Sequence, residues 1–483
     1  VHRTLFLSAC SEKFEVKGDK LNITFHGAAK GVTGSCHLIE CAGQRILIDC
    51  GLYQGSREII EENAEPFGFD PASIDFLLLT HAHLDHCGRI PLLVKRGFKG
   101  VVITTAASLE LARLVMLDSA GLQEEEARYQ QRKAKRQQNS DKDIEPLYSI
   151  LDALNSLEFF GRQAIYGQSE QLAAGIQATF FEAGHILGSA SILLQLEEKG
   201  AVRRVLFSGD LGYGGRAILN APDRPPKVDT VIMETTYGDR VHKQLQPSIE
   251  ELYGVINETI GRGGNVIIPT FAMERAQEVL YFLREGIISK KIKHFINVFL
   301  DSPMAISATQ IFARHPECYN TEALNLFNEG KDPFGFPGLH FTRETTESMA
   351  INQVSGGAVI MAGSGMCTGG RVRHHLKHNL WNRRSSIVFV GFAAQGTLAR
   401  RIIDGAKTVK IFGEEMPVQA SIHTIGGFSA HADQTELIAW HAKTGNPKTT
   451  YLVHGEEKSM KSFAAKIQAT DVRIPTLHES FEL

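Results

Sequence analysis

Alternating strand-like and helix-like stretches predict an α/β fold for this chain of 483 residues, and three observations carry the prediction. The apolar run Phe76-Leu77-Leu78-Leu79 reads as a buried strand. It passes through Thr80 into His81, His83, Asp85 and His86, and then into a helix. Twice more an apolar strand ends at a histidine or aspartate among glycines, first at His185 and then at Asp210. Beyond Glu234 the rhythm becomes a regular strand–helix alternation, as expected of a second α/β domain with a mainly parallel sheet. At this length two or three domains are expected.

The first stretch organises the chain. From Gly88 onward, Ile90, Leu92, Leu93 and Val94 suit a helix with Pro91 in its first turn. Three imidazoles and a carboxylate therefore crowd a strand-to-helix loop, where α/β folds place their chemistry. One histidine alone would be read as a packed or surface residue. Four such side chains in six positions point instead to a divalent metal, zinc above all. His81 and His83 flank one residue, while Asp85 and His86 are adjacent and can diverge. The spacing suggests two metals side by side.

Composition bounds the alternatives. An apolar fraction of 43% and a charged fraction of 22% are those of a globular protein. The net charge of −3 leaves no global basic field, so a nucleic-acid partner would have to be held by a local cleft and its metals. Seven cysteines (Cys10, Cys36, Cys41, Cys50, Cys87, Cys318, Cys367) form no paired pattern, which fits a reducing, cytoplasmic setting. Cys87 reads as a small packing residue rather than a ligand. No apolar run is long enough to cross a membrane. Residues 1–20 are expected to be a poorly ordered leader. Their likeness to a lipoprotein site at Cys10 rests on about five apolar residues, against the roughly 7–15 such a signal uses.

In the first half, Leu21–Phe25, His37–Cys41 and Arg45–Asp49 read as strands. Residues 27–35, GAAKGVTGS, make either a phosphate-holding loop or a tight turn. Val101–Thr104 reads as a strand and Ala106–Leu117 as a helix. Residues 122–143 are polar all round with a basic second half. They read as an exposed helix ending in a loop, a solvated face rather than an RNA-guiding arm beside the site. Gly175–Phe181, Arg203–Ser208 and Val228–Met233 are further strands.

In the second half, helices are expected over Ser248–Arg262, Glu274–Arg284 and Ala305–Ala313. Strands are expected over Asn265–Thr270, Val298–Leu300, Ala358–Ala362 and Ile387–Val390, and Leu398–Ile403 continues the alternation. Near the end, Ser429, His431 and Asp433 follow Phe428, and His454 follows the apolar pair Leu452-Val453.

HAHLDH, residues 81–86, resembles the HxHxDH signature of metallo-β-lactamase-fold hydrolases. Glu234, the segment at His431 and the segment at His454 are similar to the three further motifs of the β-CASP nucleases. Residues 266–280, 299–305 and 362–371 also look like the domain those enzymes insert into the metallo-β-lactamase fold. The resemblance covers roughly residues 21–480 and is close to the bacterial and archaeal relatives of the pre-mRNA 3′-end endonuclease.

That likeness implies an αββα sandwich with an inserted β-CASP α/β domain. Its parts would be 21–239 and 421–483, with the insert over 240–420. It implies two zinc ions, manganese being the alternative. One is held by His81, His83, His185 and Asp210. The other is held by Asp85, His86 and His454, with Asp210 bridging. Asp85 counts among the catalytic groups as well as the ligands, and Asp49 supports the metal loop by hydrogen bonds.

The implied reaction is hydrolysis of an RNA phosphodiester by hydroxide drawn from metal-bound water. His431 would be the general acid, kept basic by Glu234. Ser429 would donate to a substrate phosphate. Arg275 and Arg371 are either phosphate ligands or structural ion pairs. The implied partner is single-stranded RNA, cut internally or from the 5′ end, and relatives suggest a homodimer. RNA rather than DNA is implied by the resemblance alone, since DNA-acting relatives generally lack the histidine that stands here at His454. No RNA-recognition module fits the short leader and no long extension follows, so a bare catalytic core is expected. The rivals are a hydrolase of small esters or thioesters and a catalytically silent RNA-binding subunit.

Overall fold

The structure, a computed structural model, describes residues 21–55, 57–136, 144–198, 200–391 and 393–483. The expected leader with Cys10, residues 1–20, and the expected loop end of the charged segment, residues 137–143, lie outside these residues.

Period-two alternation builds two facing sheets. The first has seven strands in the order Ser480–Glu482, Asn22–Phe25, His37–Cys41, Gln44–Ile48, Phe76–Leu78, Val101–Thr105 and Arg162–Ala164. The second, also of seven, runs Asp471–Arg473, Thr449–Val453, Thr230–Glu234, Ala201–Phe207, Ala190–Glu198, Ile176–Glu182 and Ser169–Ala173. Ile23, Phe25, Ile46, Ile48 and Leu78 of the first sheet meet Phe180, Ile192, Leu194, Val205 and Phe207 of the second in one core. Burying a side chain such as Phe180 stabilises this core by about 2 kcal/mol.

The alternate residues of each sheet face helices. Leu38, Leu47, Leu77 and Val102 pack under Ile90–Lys95, Ala106–Arg136 and Ile150–Ser156. Leu193, Leu206, Val231 and Leu452 pack under Gln434–Ala442 and Glu457–Ala464. The result is the expected αββα sandwich.

A third sheet of six parallel strands forms the insert, in the order Leu339–Phe341, Asn297–Leu300, Ala358–Ala362, Val266–Pro269, Ser386–Phe389 and Ser421–Thr424. Its central strands, Ala358–Ala362, Val266–Pro269 and Ser386–Phe389, are buried on both faces, as in a sheet covered on both sides. Val266 and Ile268 face helices Leu245–Gly261, Arg275–Ile288 and Pro303–Phe312, while Ile267 faces Val372–Asn379 and Leu398–Ile403. Ser421–Thr424 pairs in register with Ser386–Phe389, so this sheet runs past the boundary expected at 420.

One expectation changes shape. Ala106–Leu117 and the charged segment after it form a single helix, Ala106–Arg136, because Gly121 does not break it. The helix begins where Thr105 and Ser108 hydroxyls hold the Gly188 carbonyl at 2.7 and 2.8 Å. With a rise of about 1.5 Å per residue, its basic end lies roughly 30 Å or more along the axis from that point. The side chains of Arg128, Tyr129, Arg132, Lys133, Lys135 and Arg136 are exposed there.

The six cysteines among the described residues are buried and free. Cys87 donates to the Ala82 carbonyl and packs in the core, where burial pushes its thiol pKa up. No helix among the described residues is long and apolar enough to cross a membrane.

Candidate metal centre

The cluster forms where strands of both sheets end. Phe76–Leu78 leads into His81, and His83 begins the short helix Leu84–Cys87 that carries Asp85 and His86. His185 follows Ile176–Glu182, Asp210 follows Ala201–Phe207, and His454 follows Thr449–Val453. Asp49 and His454 each sit one residue past a strand with φ of 61° and 48°. A non-glycine residue there turns the chain sharply and is a strained choice characteristic of functional sites.

Ligand atoms of His81, His83, His185 and Asp210 lie within 4.8 Å of one another, as do those of Asp85, His86 and His454. His83 Nδ1 is 3.1 Å from both His81 Nε2 and His185 Nε2, and His86 Nε2 is 3.3 Å from His454 Nε2. Asp210 Oδ2 stands between the groups, 3.5 Å from His81 Nε2, 3.6 Å from His185 Nε2 and 3.4 Å from His86 Nε2.

These spacings fit a metal. Four ligands at zinc bond lengths of about 2.0–2.1 Å form a tetrahedron with edges of about 3.3 Å. Asp210 Oδ1 is buried without a hydrogen-bond partner, a state that costs free energy unless a cation faces it. A further grouping, Asp210, Glu234 and His454, is as compact. Glu234, however, is already committed. Its Oε1 accepts from Leu211 N at 2.7 Å and its Oε2 from Thr236 N at 3.2 Å.

The outer nitrogens of the rings are fixed. His86 Nδ1 donates to Asp49 Oδ2 at 2.7 Å, and His185 Nδ1 to the Ala430 carbonyl at 3.3 Å. Thr80 Oγ1 lies 3.1 Å from His81 Nδ1, and Thr236 Oγ1 3.1 Å from His454 Nδ1. These contacts leave Nε2 of His81, His86 and His185 facing the cluster, the arrangement that orients ligating histidines, while His83 presents Nδ1 and His454 Nδ1 also lies 3.5 Å from Asp210 Oδ1. Burial, with repulsion from neighbouring cations, lowers the pKa of His81 and His185 and brings His83 to about 4, so these rings are neutral and able to bind a metal.

Beside the cluster, His431 Nδ1 meets Glu234 Oε1 at 3.1 Å, and the His431 ring lies 4.4 Å from that of His185. Burial opposes protonation of His431. Glu234, followed by Asp210 and Asp85, outweighs it and raises the pKa to about 9.

The remaining expected residues divide. Ser429 lies on the His431 loop, its Oγ donating to the His431 carbonyl at 3.2 Å. Arg275 is buried in an ion pair with Glu278, its guanidinium 5.9 Å from the Phe428 ring. Arg371 donates to Asp301 Oδ1 at 2.7 Å and to the carbonyls of Thr342 and Arg343 at 3.1 and 2.6 Å, all within the insert. For both arginines the structure places the ion pairs that were the alternative to phosphate binding. Residues 27–35 take the tight-turn form. His454 N donates to the Ala28 carbonyl at 2.8 Å, and a Cβ on Gly27 would meet the Gly34 carbonyl oxygen at 1.8 Å.

Sequence reasoning missed Thr80, Ser35 and Thr236. Thr80 donates its N–H to Asp49 Oδ1 at 2.8 Å, and Ser35 Oγ donates to Asp49 Oδ2 at 3.2 Å. A hydroxyl set between an apolar strand and a histidine was the available signal for Thr80.

Ribonuclease TTHA0252 of Thermus thermophilus is 41% identical over 440 residues, covering 91% of this chain and 94% of its own. The chain belongs to the β-CASP family of metallo-β-lactamase-fold ribonucleases. The family models follow the β-CASP architecture: the metallo-β-lactamase superfamily at 29–263, the Beta-Casp domain at 276–402, and the Zn-dependent metallo-hydrolase RNA specificity domain at 415–476. The last of these contains Ser429, His431 and His454.

Two relatives from Methanocaldococcus jannaschii are also similar. Transcription termination factor FttA is 32% identical, covering 94% of this chain and 70% of its own length. An RNase J-like protein is 31% identical, covering 94% and 97%. A crystal structure of a protein of unknown function from Enterococcus faecalis V583 matches with a TM-score of 0.52 at 13% identity, covering 96% of this chain and 100% of that one. At that identity it speaks for the fold alone.

Proposed function

We propose that this β-CASP protein hydrolyses phosphodiester bonds within single-stranded RNA, using two zinc ions, in RNA processing or decay. The observation that carries the reading is the His431–Glu234 pair at 3.1 Å beside the grouped metal-ligand side chains. A hydrolase of activated esters or thioesters needs no second acid, because its leaving group departs unaided. A ribose alkoxide must be protonated as it leaves. A catalytically silent RNA-binding subunit would not need both the ligand set and this pair.

His81, His83, His185 and Asp210 would hold one ion, and Asp85, His86 and His454 the other, with Asp210 shared between them. A bound metal pair supplies a water of lowered pKa and stabilises charge developing on the phosphoryl oxygens. The protein supplies the rest. Glu234 accepts from Nδ1–H of His431 and stabilises its imidazolium, whose Nε2–H is the proton delivered to the leaving oxygen. Leu211 N–H and Thr236 N–H hold the Glu234 carboxylate in place, which keeps the imidazole from swinging away. Ser429, on the same loop, would orient a phosphate. His431 and Ser429 are partly exposed, as groups that touch substrate must be.

The test is cleavage of a 5′-labelled single-stranded RNA by the purified chain, with and without chelator, resolved at single-nucleotide length. Chelator-sensitive internal fragments are expected. Mononucleotide released from the labelled end would make the enzyme a 5′-exonuclease with the same chemistry. No cleavage of RNA by zinc-loaded protein, together with turnover of small esters, would overturn the reading.

A further inference from the structure

Arg216 is a buried cation outside the ligand set, its side chain 1% exposed. One arm of its guanidinium holds the loop that carries His185. Nη1 donates to the Gly184 carbonyl at 3.0 Å and also to the carbonyl of His185 itself. The other arm reaches the insert. Nη2 pairs with Glu274 Oε1 at 2.7 Å and lies 3.9 Å from Glu278 Oε1. The Leu187 backbone N–H, on the same loop as His185, acts on the Glu274 carboxylate as well.

The backbone around Arg216 is stitched to the insert. Asn320 donates its side-chain N–H to the Arg216 carbonyl at 2.9 Å and its backbone N–H to Ile218 at 2.7 Å, and Asn220 donates to Cys318 at 3.2 Å. Glu274 precedes helix Arg275–Ile288 with φ of 64° and ψ of −61°. A non-glycine residue in that region is strained and persists only where its surroundings hold it.

A buried ion pair is a poor device for stability alone, because apolar side chains of the same volume serve as well or better. What apolar residues cannot do is donate to two carbonyls of a ligand loop while bonded to a neighbouring domain. The opposite half of the cluster is supported differently. His86 is held by Asp49 and His454 by Thr236, none of them in the insert. We infer that Arg216 and Glu274 are positioning residues that transmit the seating of the inserted domain to His185, and so set how tightly the zinc at His81, His83 and His185 is held. The inference rests on the metal assignment proposed above. It predicts a one-sided effect, which a merely structural pair would not produce.

Zinc competition against a chromophoric chelator, with zinc stoichiometry and thermal melting, tests it on the full chain carrying Arg216→Lys, Glu274→Gln or His185→Ala. Arg216→Lys and Glu274→Gln should each weaken one of two zinc equivalents about tenfold or more, and leave the other at wild-type affinity. Unchanged affinity for both equivalents with only a lowered Tm would overturn the inference, as would equal weakening of both. If Arg216→Lys does not fold, Glu274→Gln carries the test, since it keeps the side chain's size and its acceptor oxygen. His185→Ala is the control. If it retains both equivalents, the ligand assignment fails, independently of what the Arg216 and Glu274 variants show.

Discussion

Asp49 accepts a hydrogen bond from His86 Nδ1 at 2.7 Å and also from Thr80 N at 2.8 Å, so one buried carboxylate fixes both a ligand ring and the backbone that leads to His81. Asp49→Asn keeps the shape and loses the charge. Zinc bound at the His86 position should weaken by about 10–100-fold, read by chelator competition. Wild-type affinity in that variant would show that Asp49 serves packing alone.

The rate should depend on pH through His431. An acid must be protonated to act, so turnover should fall as pH rises through the pKa of His431, which Glu234 raises above the ordinary imidazole value against the opposing effect of burial. Bound cations offset Asp210 and Asp85, which leaves Glu234 as the lasting cause of the raised value. Glu234→Gln removes that cause, and the falling limb should move to lower pH. A limb unmoved in the variant at saturating zinc would assign it to another group.

Gly51 tests how tightly the metal loop is packed. A Cβ at this position would lie 1.6 Å from the Asp85 carbonyl oxygen. Gly51→Ala must therefore displace the segment that carries Asp85 and His86. The expected result is a lower Tm together with loss of one zinc equivalent, measured on the same sample. Full zinc content would mean that the loop shifts without moving its ligands.

Much of this site was legible because its chemistry is concentrated in sequence. His81, His83, Asp85 and His86 fall within six residues after a buried strand, and His185 and Asp210 repeat that arrangement. Glu234, His431 and His454 were reached through the family motifs, and the structure brings His431 to Glu234 across 197 residues of chain. The supporting shell was not legible. Thr236 and Arg216 look like ordinary residues in sequence, and their roles arise only when a distant loop folds against them. Ala190–Glu198, which bonds both Ile176–Glu182 and Ala201–Phe207, was overlooked as a strand because its near-continuous apolar run carries no motif. The single helix Ala106–Arg136 was divided because helix-long polarity past Gly121 hid its continuity. Strand Ser421–Thr424 joins the insert through pairing with a strand more than thirty residues earlier, which local pattern does not record.

The central claim is that His431 protonates the leaving oxygen, and an activated leaving group tests it most directly. Zinc-loaded His431→Ala should lose about 10²–10⁴-fold in turnover on RNA, the usual worth of general acid catalysis. It should retain near wild-type hydrolysis of bis(p-nitrophenyl) phosphate, whose nitrophenolate departs without a proton. Equal losses on both substrates, or no loss on RNA, would contradict the assignment.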